Sequence, residues 1–258
     1  MQFGPLALKH CKYGWMLHCG PIIGKCFELY GQYSESEVSM MRSFLNSGDS
    51  VIDVGANIGD LTLPLSRIVG DSGRVYAIES NPSTFNVLCA NLALNSIQNT
   101  RPINAFVASS EDVDTRSRSW GEFAYTGKTW KPNFVSIDSL DLDACRLIKI
   151  DVDGNELGVL RSGEMKIEKH RPILYFENDV RAASAELLQY AMETLGYDLY
   201  WHPAPVFETD NYFGNPVNHW APDVIASQMV LGIPSERRAT LSTLRRIQHK
   251  DEWWEGFS

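Results

Sequence analysis

Short runs of apolar residues recur along the chain, separated by longer stretches in which apolar positions return every three or four residues. A short apolar run between turn signals predicts a buried strand, whereas the longer periodicity predicts a helix with one buried face. The predicted strands cover residues 51–54, 75–78, 103–107, 147–150, 173–176, 197–201 and 229–233. The predicted helices cover residues 34–45, 61–69, 82–94 and 182–195, and a further helix begins at 156–160.

Strands and helices alternate from residue 50 onward, and this order indicates the α/β class. A strand, a helix and a second strand normally form one unit with parallel strands, so that helices cover both faces of the sheet. We expect one domain at 46–235, an N-terminal extension at 1–45 and a C-terminal helical tail at 236–258.

Local signals give the extension and the tail their expected structure. Two short extended pieces around Gly20-Pro21 predict a hairpin, and Ser34 precedes Glu37 at the spacing of a capping box. The arginines of the tail are spaced as the polar face of a helix. We expect Trp253 and Trp254 to dock on the body of the protein or on a second subunit in a homodimer.

Composition and charge exclude several classes of function. The chain has 258 residues and a net charge of −9, which makes it a poor candidate for binding nucleic acid through phosphate contacts. Its apolar runs are far shorter than the ~20 residues of a membrane span, so no membrane partner is expected. The five cysteines form no CxxC pair, and their odd number favours reduced thiols in a cytoplasmic protein.

A glycine loop follows the first predicted strand of the domain, with Asp53, Gly55, Asn57 and Gly59 in the order DxGxNxG. Glycine permits a positive φ and a close approach of ligand to backbone. The spacing is neither the GxGxxG of dinucleotide-binding proteins nor a P-loop. It resembles motif I of class I S-adenosylmethionine-dependent methyltransferases, although a tight turn in another α/β protein has the same local features. The resemblance implies that these four residues bind the cofactor.

The next two strand ends offer further cofactor contacts. Glu79 ends the second strand, at about the 20-residue spacing from which an acid binds ribose hydroxyls in Rossmann-like sheets. Ser80 and Asn81 follow it, and the Asn-Pro step at 81–82 is a further point of resemblance. Phe106 and Val107 lie where class I methyltransferases flank the adenine ring, although a core role explains both equally well.

Two later motifs resemble the FkbM-type family of class I methyltransferases. They read SIDSL at 136–140 and IKIDVDG at 148–154, where Asp153 stands in place of the family's usual Glu. With NYFG at 211–214, the resemblance extends over residues 25–235. It implies a Rossmann-like α/β fold with a mostly parallel seven-stranded sheet and helices on both faces.

Several side chains fall at the carboxyl ends of the predicted strands, where open α/β sheets bind their ligands. Asp151 would lie beside the transferring methyl group and is the expected catalytic residue; His202 is a second candidate base. Asp151, Glu177 and Asn178 also resemble the magnesium site of catechol-type O-methyltransferases, with the oxygen ligands that Mg²⁺ prefers.

The expected function is transfer of a methyl group from S-adenosylmethionine to a hydroxyl of a small metabolite or sugar. A catalytically silent binding protein, an NAD-dependent oxidoreductase and a methyltransferase acting on RNA or protein are alternatives; the absence of GxGxxG disfavours the oxidoreductase. The acceptor is expected to be selected by residues 1–35, 110–133 and 203–222.

Overall fold

The computed structural model describes residues 2, 3, 6–109, 133–223, 225–238 and 241–255. The insertion predicted at 110–133 lies outside these ranges except for Asn133. The strands are β1 Gln2–Phe3, β2 Leu6–Cys11, β3 Gly14–His18, β4 Ser50–Val54, β5 Arg74–Glu79, β6 Thr100–Asn104, β7 Phe106–Val107, β8 Phe134–Val135, β9 Leu147–Ile150, β10 Ile173–Glu177, β11 Tyr197–Pro205, β12 Ala226–Pro234 and β13 Arg245–Arg246.

The helices lie mostly between strands of the main sheet. They are α1 Lys25–Tyr30, α2 Glu35–Arg42, α3 Thr62–Val69, α4 Pro82–Leu94, α5 Glu156–Arg161, α6 Glu164–His170 and α7 Arg181–Gln189. Short π-helical segments cover Gly20–Gly24 and Tyr190–Thr194, and 3₁₀ turns cover Ile137–Ser139 and Ser235–Arg237. No helix among the described residues is long and apolar enough to cross a membrane.

The main sheet has the strand order β13-β11-β12-β10-β9-β4-β5-β6. The five strands from β10 to β6 pair in parallel, whereas β12 is antiparallel to both of its neighbours. The chain leaves β4 toward one edge of the sheet and returns to β9 on the other side, which creates a switch point between these two strands. The predicted Rossmann-like α/β fold is confirmed, with β13 added as a short eighth strand.

The core forms two apolar layers, one on each face of the sheet. Val51 packs in the layer that includes residues of α2 and α3, and the next residue, Ile52, packs in the layer that includes residues of α5 and α7. Successive side chains of a strand point to opposite faces, so a strand covered on both sides needs an unbroken apolar run. This requirement explains why the central strands were predictable from sequence.

The N-terminal hairpin is formed by β2 and β3, and its turn lies at Lys12–Tyr13. The prediction around Gly20-Pro21 was wrong, because those residues begin the π-helical segment that leads into α1. The hairpin is fixed to α4 by two asparagines. Asn91 accepts a hydrogen bond from the Leu17 N–H at 2.7 Å, and Asn95 accepts one from the Trp15 N–H at 2.8 Å.

The capping box predicted at Ser34 does not form. Ser34 has a left-handed backbone with φ 46°, and its hydroxyl donates to Glu37 Oε1 at 2.5 Å. The hydroxyl therefore contacts the glutamate side chain, while the Ser34 carbonyl accepts the Glu37 N–H at 3.0 Å.

The tail is not helical in its described part, contrary to prediction. Arg245 and Arg246 pair with Trp201 and Tyr200 as β13, and Ile247 is buried beneath them in the core. Acidic partners hold the arginines: Glu252 of the tail lies 3.0 Å from Arg245, and Asp198 of β11 lies 2.6 Å from Arg246.

The tryptophan pair packs on the chain's own body. Trp253 and Trp254 lie 6.4 and 6.3 Å from the ring of Trp201.

Candidate active site

A cavity of about 930 Å³ opens at the carboxyl ends of β4, β5 and β9. The glycine loop after β4 and the ends of β5, β9 and β10 form most of its wall. Tyr33, which precedes α2, and Ser227 of β12 complete the wall from distant parts of the chain. The cavity therefore lies at the switch point of the sheet, where α/β proteins bind ligands.

The glycine loop requires glycine for steric reasons. Gly55 has φ +77°, and a Cβ at this position would lie 1.7 Å from the Asp151 carbonyl oxygen. Gly59 has φ +91°, and its Cβ would lie 2.9 Å from Leu88 Cδ1 on α4. Asn57 also has a positive φ of 47°. The loop thus brings its backbone against the end of β9 and leaves the cavity open above it.

Glu79 is held by the backbone on both sides of its carboxyl group. Its Oε2 accepts the Asn57 N–H at 2.9 Å, and its Oε1 accepts the Asn81 N–H at 2.7 Å. Burial raises the pKa of Glu79, while these two donors oppose the rise by stabilising the carboxylate. Each carboxylate oxygen can accept a further hydrogen bond from the cavity.

Ser80 and Asn81 line the cavity beside Glu79. The Asn81 side chain caps α4, accepting the Ser83 N–H at 2.9 Å. Asn104 fixes the backbone of this turn by donating to the Glu79 and Ser80 carbonyls at 2.8 and 3.1 Å. The turn is therefore rigid, and its contribution to the wall is partly backbone.

An apolar part of the cavity wall lies next to this turn. It consists of Ala105, Phe106 and Val107, which are all buried. Phe106 and Val107 were predicted as the end of the third strand, but they leave the main sheet and pair with Phe134 and Val135. This exit places their side chains against the cavity.

Beneath the loop lies a buried ion-pair network centred on Lys149, a residue to which the sequence reasoning assigned no role. Its Nζ donates to the Gly55 carbonyl at 2.9 Å and lies 3.4 Å from Asp53 Oδ1 and 3.7 Å from Asp151 Oδ2. Burial alone would lower the Lys149 pKa, but the surrounding carboxylates raise it above its usual value. The charge within the otherwise apolar run of β9 was the signal that could have revealed it.

Asp53 belongs to this network and does not line the cavity. It is fully buried, and its Oδ2 accepts the Thr62 hydroxyl at 2.6 Å. The structure therefore places Asp53 beneath the glycine loop, where its contacts are with Thr62 and Lys149.

Asp151 is the most open member of the network, with 37% of its side chain exposed. It lines the cavity together with Glu177, which ends β10. Burial, followed by the charge of Asp151, raises the pKa of Glu177 well above its usual range. The raised pKa favours the protonated form of Glu177 beside Asp151.

This geometry was compared with known proteins. The family model described as Methyltransferase FkbM domain matches residues 53–199, which include the glycine loop, Glu79 and Asp151. The chain belongs to the FkbM methyltransferase family. The family resemblance stated from the sequence is therefore confirmed.

Individual relatives match this FkbM chain less completely. It is 34% identical over 88 residues to the tRNA(Phe) (4-demethylwyosine(37)-C(7)) aminocarboxypropyltransferase of Methanocaldococcus jannaschii, and the match covers 34% of each protein. The chain thus spans about a third of the length of that curated relative.

Two solved structures share its fold. The precorrin-6y C5,15-methyltransferase of Geobacter metallireducens has a TM-score of 0.50 at 14% identity, covering 77% of this chain and 84% of that one. The S-adenosylmethionine-dependent O-methyltransferase of Thermotoga maritima has a TM-score of 0.50 at 14% identity, and the match covers 89% of this chain and 78% of that one.

The magnesium site predicted in this FkbM chain does not form. Asp151 and Glu177 converge, but the Asn178 amide donates to the Ser184 hydroxyl at 2.9 Å and is buried away from the cavity. Consecutive residues at a strand end point to opposite sides, so Asn178 cannot join Glu177. No group of three or more His, Cys, Asp or Glu suited to a metal ion occurs among the described residues.

His202 also lies away from the cavity. Its Nδ1 is 2.7 Å from the Tyr175 hydroxyl, and its Nε2 is 3.3 Å from the Ser36 hydroxyl on α2. Burial lowers its pKa to about 4. The structure therefore gives His202 a packing position on the sheet face covered by α2, and the prediction that it acts as a base is not supported.

Asp60 is a cavity residue that the sequence reasoning missed. It follows Gly59 directly, is 9% exposed and lines the cavity. Burial raises its pKa to about 7, although the charge of Lys149 opposes the rise. Its position directly after the glycine loop was the available signal.

Proposed function

We propose that this protein is an S-adenosylmethionine-dependent methyltransferase that methylates a hydroxyl of a small metabolite or sugar. The observation that carries the proposal is one continuous cavity that joins the glycine loop and Glu79 to Asp151. Membership of the FkbM methyltransferase family supports the reaction type.

In this proposal the cofactor lies along the glycine loop. Glu79 accepts hydrogen bonds from the ribose hydroxyls, because its carboxylate keeps free acceptor positions toward the cavity. Phe106 and Val107 pack against the adenine ring. Gly55 and Asn57, which line the cavity, contact the methionine portion, and Ser80 and Asn81 contribute to the wall near the ribose. Gly59, which was also predicted to bind the cofactor, is not among the residues of the described cavity wall, and its backbone lies against Leu88 of α4. Asp53 acts indirectly by holding Lys149 and the loop in place.

Asp151 acts at the reacting end. When bound, S-adenosylmethionine supplies an electrophilic methyl group on a positively charged sulfur. Asp151 would orient the acceptor hydroxyl and accept its proton as the oxygen forms the new bond to the methyl carbon. The bond from that carbon to sulfur would break at the same time, its electron pair would stay on sulfur, and S-adenosylhomocysteine would leave. Glu177, whose protonated form is favoured by burial and by the charge of Asp151, would donate a hydrogen bond to Asp151 and help to orient it.

Isothermal titration with S-adenosylmethionine and S-adenosylhomocysteine tests the proposal directly. We expect both to bind in the micromolar range, with Glu79→Gln weakening both at least about tenfold because it loses a charge-assisted acceptor. The exposed Glu168→Gln on α6 is the matched control. Absence of binding by the wild-type protein would contradict the proposed cofactor.

The role of Asp151 is tested separately in an assay of S-adenosylhomocysteine formation with hydroxylated acceptors. Asp151→Asn should lower turnover by about 10²-fold or more, the usual contribution of a general base, while cofactor affinity is largely retained. Unchanged turnover would remove Asp151 from the mechanism.

An RNA acceptor is a second candidate, because the curated relative from Methanocaldococcus jannaschii is named as an enzyme of tRNA(Phe). The net charge of −9 disfavours it. Filter binding with bulk tRNA at low salt decides between an RNA acceptor and a small-molecule acceptor. Retention of tRNA at micromolar protein concentration would favour an RNA acceptor.

A further inference from the structure

The part of the cavity beyond the glycine loop is acidic. Five carboxyl groups line it, and no Lys, Arg or His lines the cavity among the residues that the structure describes. The five belong to Asp60, Asp151, Asp153, Glu177 and Asp179. Glu79 stands apart from them, because it lies at the end of β5 beside the turn that follows it.

Lys149 does not neutralise this surface. It lies beneath the floor of the cavity, where only 2% of its side chain is exposed. Its ammonium group already donates to the Gly55 carbonyl and lies between Asp53 and Asp151. This one buried cation acts on Asp53, Asp60 and Asp151 together, so the carboxyl groups of the described wall outnumber it.

Asp60 provides an independent observation. Its Oδ1 is buried and has no hydrogen-bond partner in the described structure, although the residue lines the cavity. A buried polar atom without a partner is unfavourable, so its presence in a binding cavity points to a ligand that completes it. The pKa values of Asp153 and Asp179 are raised by burial and also by the charge of Asp151, so a cation bound in the cavity would favour their ionised forms as well.

The bound cofactor would supply only part of the positive charge that these carboxyl groups favour. S-adenosylmethionine carries one net positive charge, because its ammonium and carboxylate groups cancel and the sulfonium remains. We infer that the acceptor carries a protonated amine beside the hydroxyl that is methylated, and that Asp60 binds this amine. The inference rests on the proposed function and specifies its substrate class. An ammonium group offers three donors, which suits a cavity wall that carries several carboxyl groups.

The inference is tested without knowing the acceptor. Sinefungin is an analogue in which a carbon bearing an ammonium group replaces the methylated sulfur, so it places a cation where the methyl group points toward the acceptor. S-adenosylhomocysteine has a neutral sulfur at the same position. By titration calorimetry at pH 8, we expect sinefungin to bind about tenfold more tightly than S-adenosylhomocysteine, from one nearby charge pair in a partly buried site.

Variants assign the effect to the carboxyl group of Asp60. Asp60→Asn should remove most of the difference between the two ligands while the affinity for S-adenosylhomocysteine changes little. Asp71→Asn is the matched control, because Asp71 is exposed in the turn between α3 and β5. A preference for sinefungin that persists in Asp60→Asn would overturn the assignment to Asp60.

The wild-type protein gives a test that does not depend on the folding of a variant. Asp60 is faced by Lys149 and Asp151 from β9, by Asp53 from β4 and by Tyr33 from the segment before α2. Its carboxyl group ionises near pH 7, so the preference for sinefungin should increase from pH 6 to pH 8.

The outcomes separate the two proposals. If S-adenosylhomocysteine does not bind, the proposed function fails, and the inference fails with it. If it binds and sinefungin binds no more tightly at pH 8, the cofactor site stands and the inference of an amine-bearing acceptor is overturned.

Discussion

Individual residues of the site are constrained by contacts on their buried side. Gly55 fits only as glycine because the Asp151 carbonyl occupies the position of a Cβ, and Lys149 is held between two aspartates and a carbonyl. Both residues act on the shape of the cavity floor.

Gly55→Ala should destabilise the protein by about 2–4 kcal/mol and abolish measurable cofactor binding, since the new Cβ clashes with backbone at a positive φ. Urea unfolding and titration calorimetry measure the two effects. Gly214→Ala is the control, because Gly214 also has a positive φ but has no atom within 4 Å of the added Cβ. Equal losses in both variants would show that φ alone matters and that the contact does not.

Lys149→Met should lower the free energy of unfolding by about 3–5 kcal/mol at pH 8, because removing the lysine leaves carboxylates buried without a cation. The cost should shrink at pH 5, where those carboxylates can bind protons. The measurement is urea unfolding at both pH values, with the exposed Lys169→Met of α6 as control. A cost below about 1 kcal/mol at pH 8 would contradict the network.

At the scale of elements, the sequence predicted the strands and helices whose buried faces are apolar. It missed the elements whose structure depends on pairing with distant parts of the chain. The bounds of β9 and α4 agree with the prediction, since every residue of the central strand except Lys149 is apolar and Pro82 marks the helix start. The third strand was placed three residues too late, because β6 is an edge strand that tolerates Arg101 and Pro102. The tail was predicted as a helix from the spacing of its arginines, because the strand β11 with which β13 pairs lies far away in sequence.

Ile247→Ala tests the tail as it is observed. Its side chain is 3% exposed in the main core, and its N–H donates to the Leu199 carbonyl at 2.8 Å. Truncation of this side chain should lower the free energy of unfolding by about 2–4 kcal/mol, while cofactor affinity stays the same. Thermal or urea unfolding measures the loss, and the exposed Val217→Ala should be nearly neutral. A neutral Ile247→Ala would mean that the tail does not pack on the core.

At the scale of the whole molecule, the site assembles from segments that are far apart in sequence. Glu79 and Asp151 were predictable because a motif surrounds each of them. Tyr33 and Ser227 were not, since they reach the cavity only when α2 and β12 pack against the sheet. The packing of α2 against the sheet also buries the acidic side chain of Glu37, which belongs to that helix.

This burial makes stability depend on pH. The Glu37 pKa is raised to about 7, chiefly by burial, whereas an unfolded glutamate ionises near pH 4.3. The group stabilises the fold when protonated, and this contribution is lost as the pH rises through 7. Glu37→Gln should therefore match the wild type at pH 4 and exceed its free energy of unfolding by about 2 kcal/mol at pH 8.

The measurement is urea unfolding across this pH range, and Glu168→Gln should show no such trend, since Glu168 is exposed. A constant difference between Glu37→Gln and the wild type at all pH values would refute the proposed ionisation.

The reversed strand β12 also has a consequence for synthesis of the chain. β12 lies between β10 and β11 and is the only strand of the described sheet that joins them. Until residues 226–234 have left the ribosome, β11 has no place in the sheet, and one side of β10 remains an open edge of apolar residues. Such an edge pairs readily with other chains. Nascent chains that stop before residue 226 should therefore aggregate and recruit chaperones, whereas chains that include β12 fold without that exposed edge.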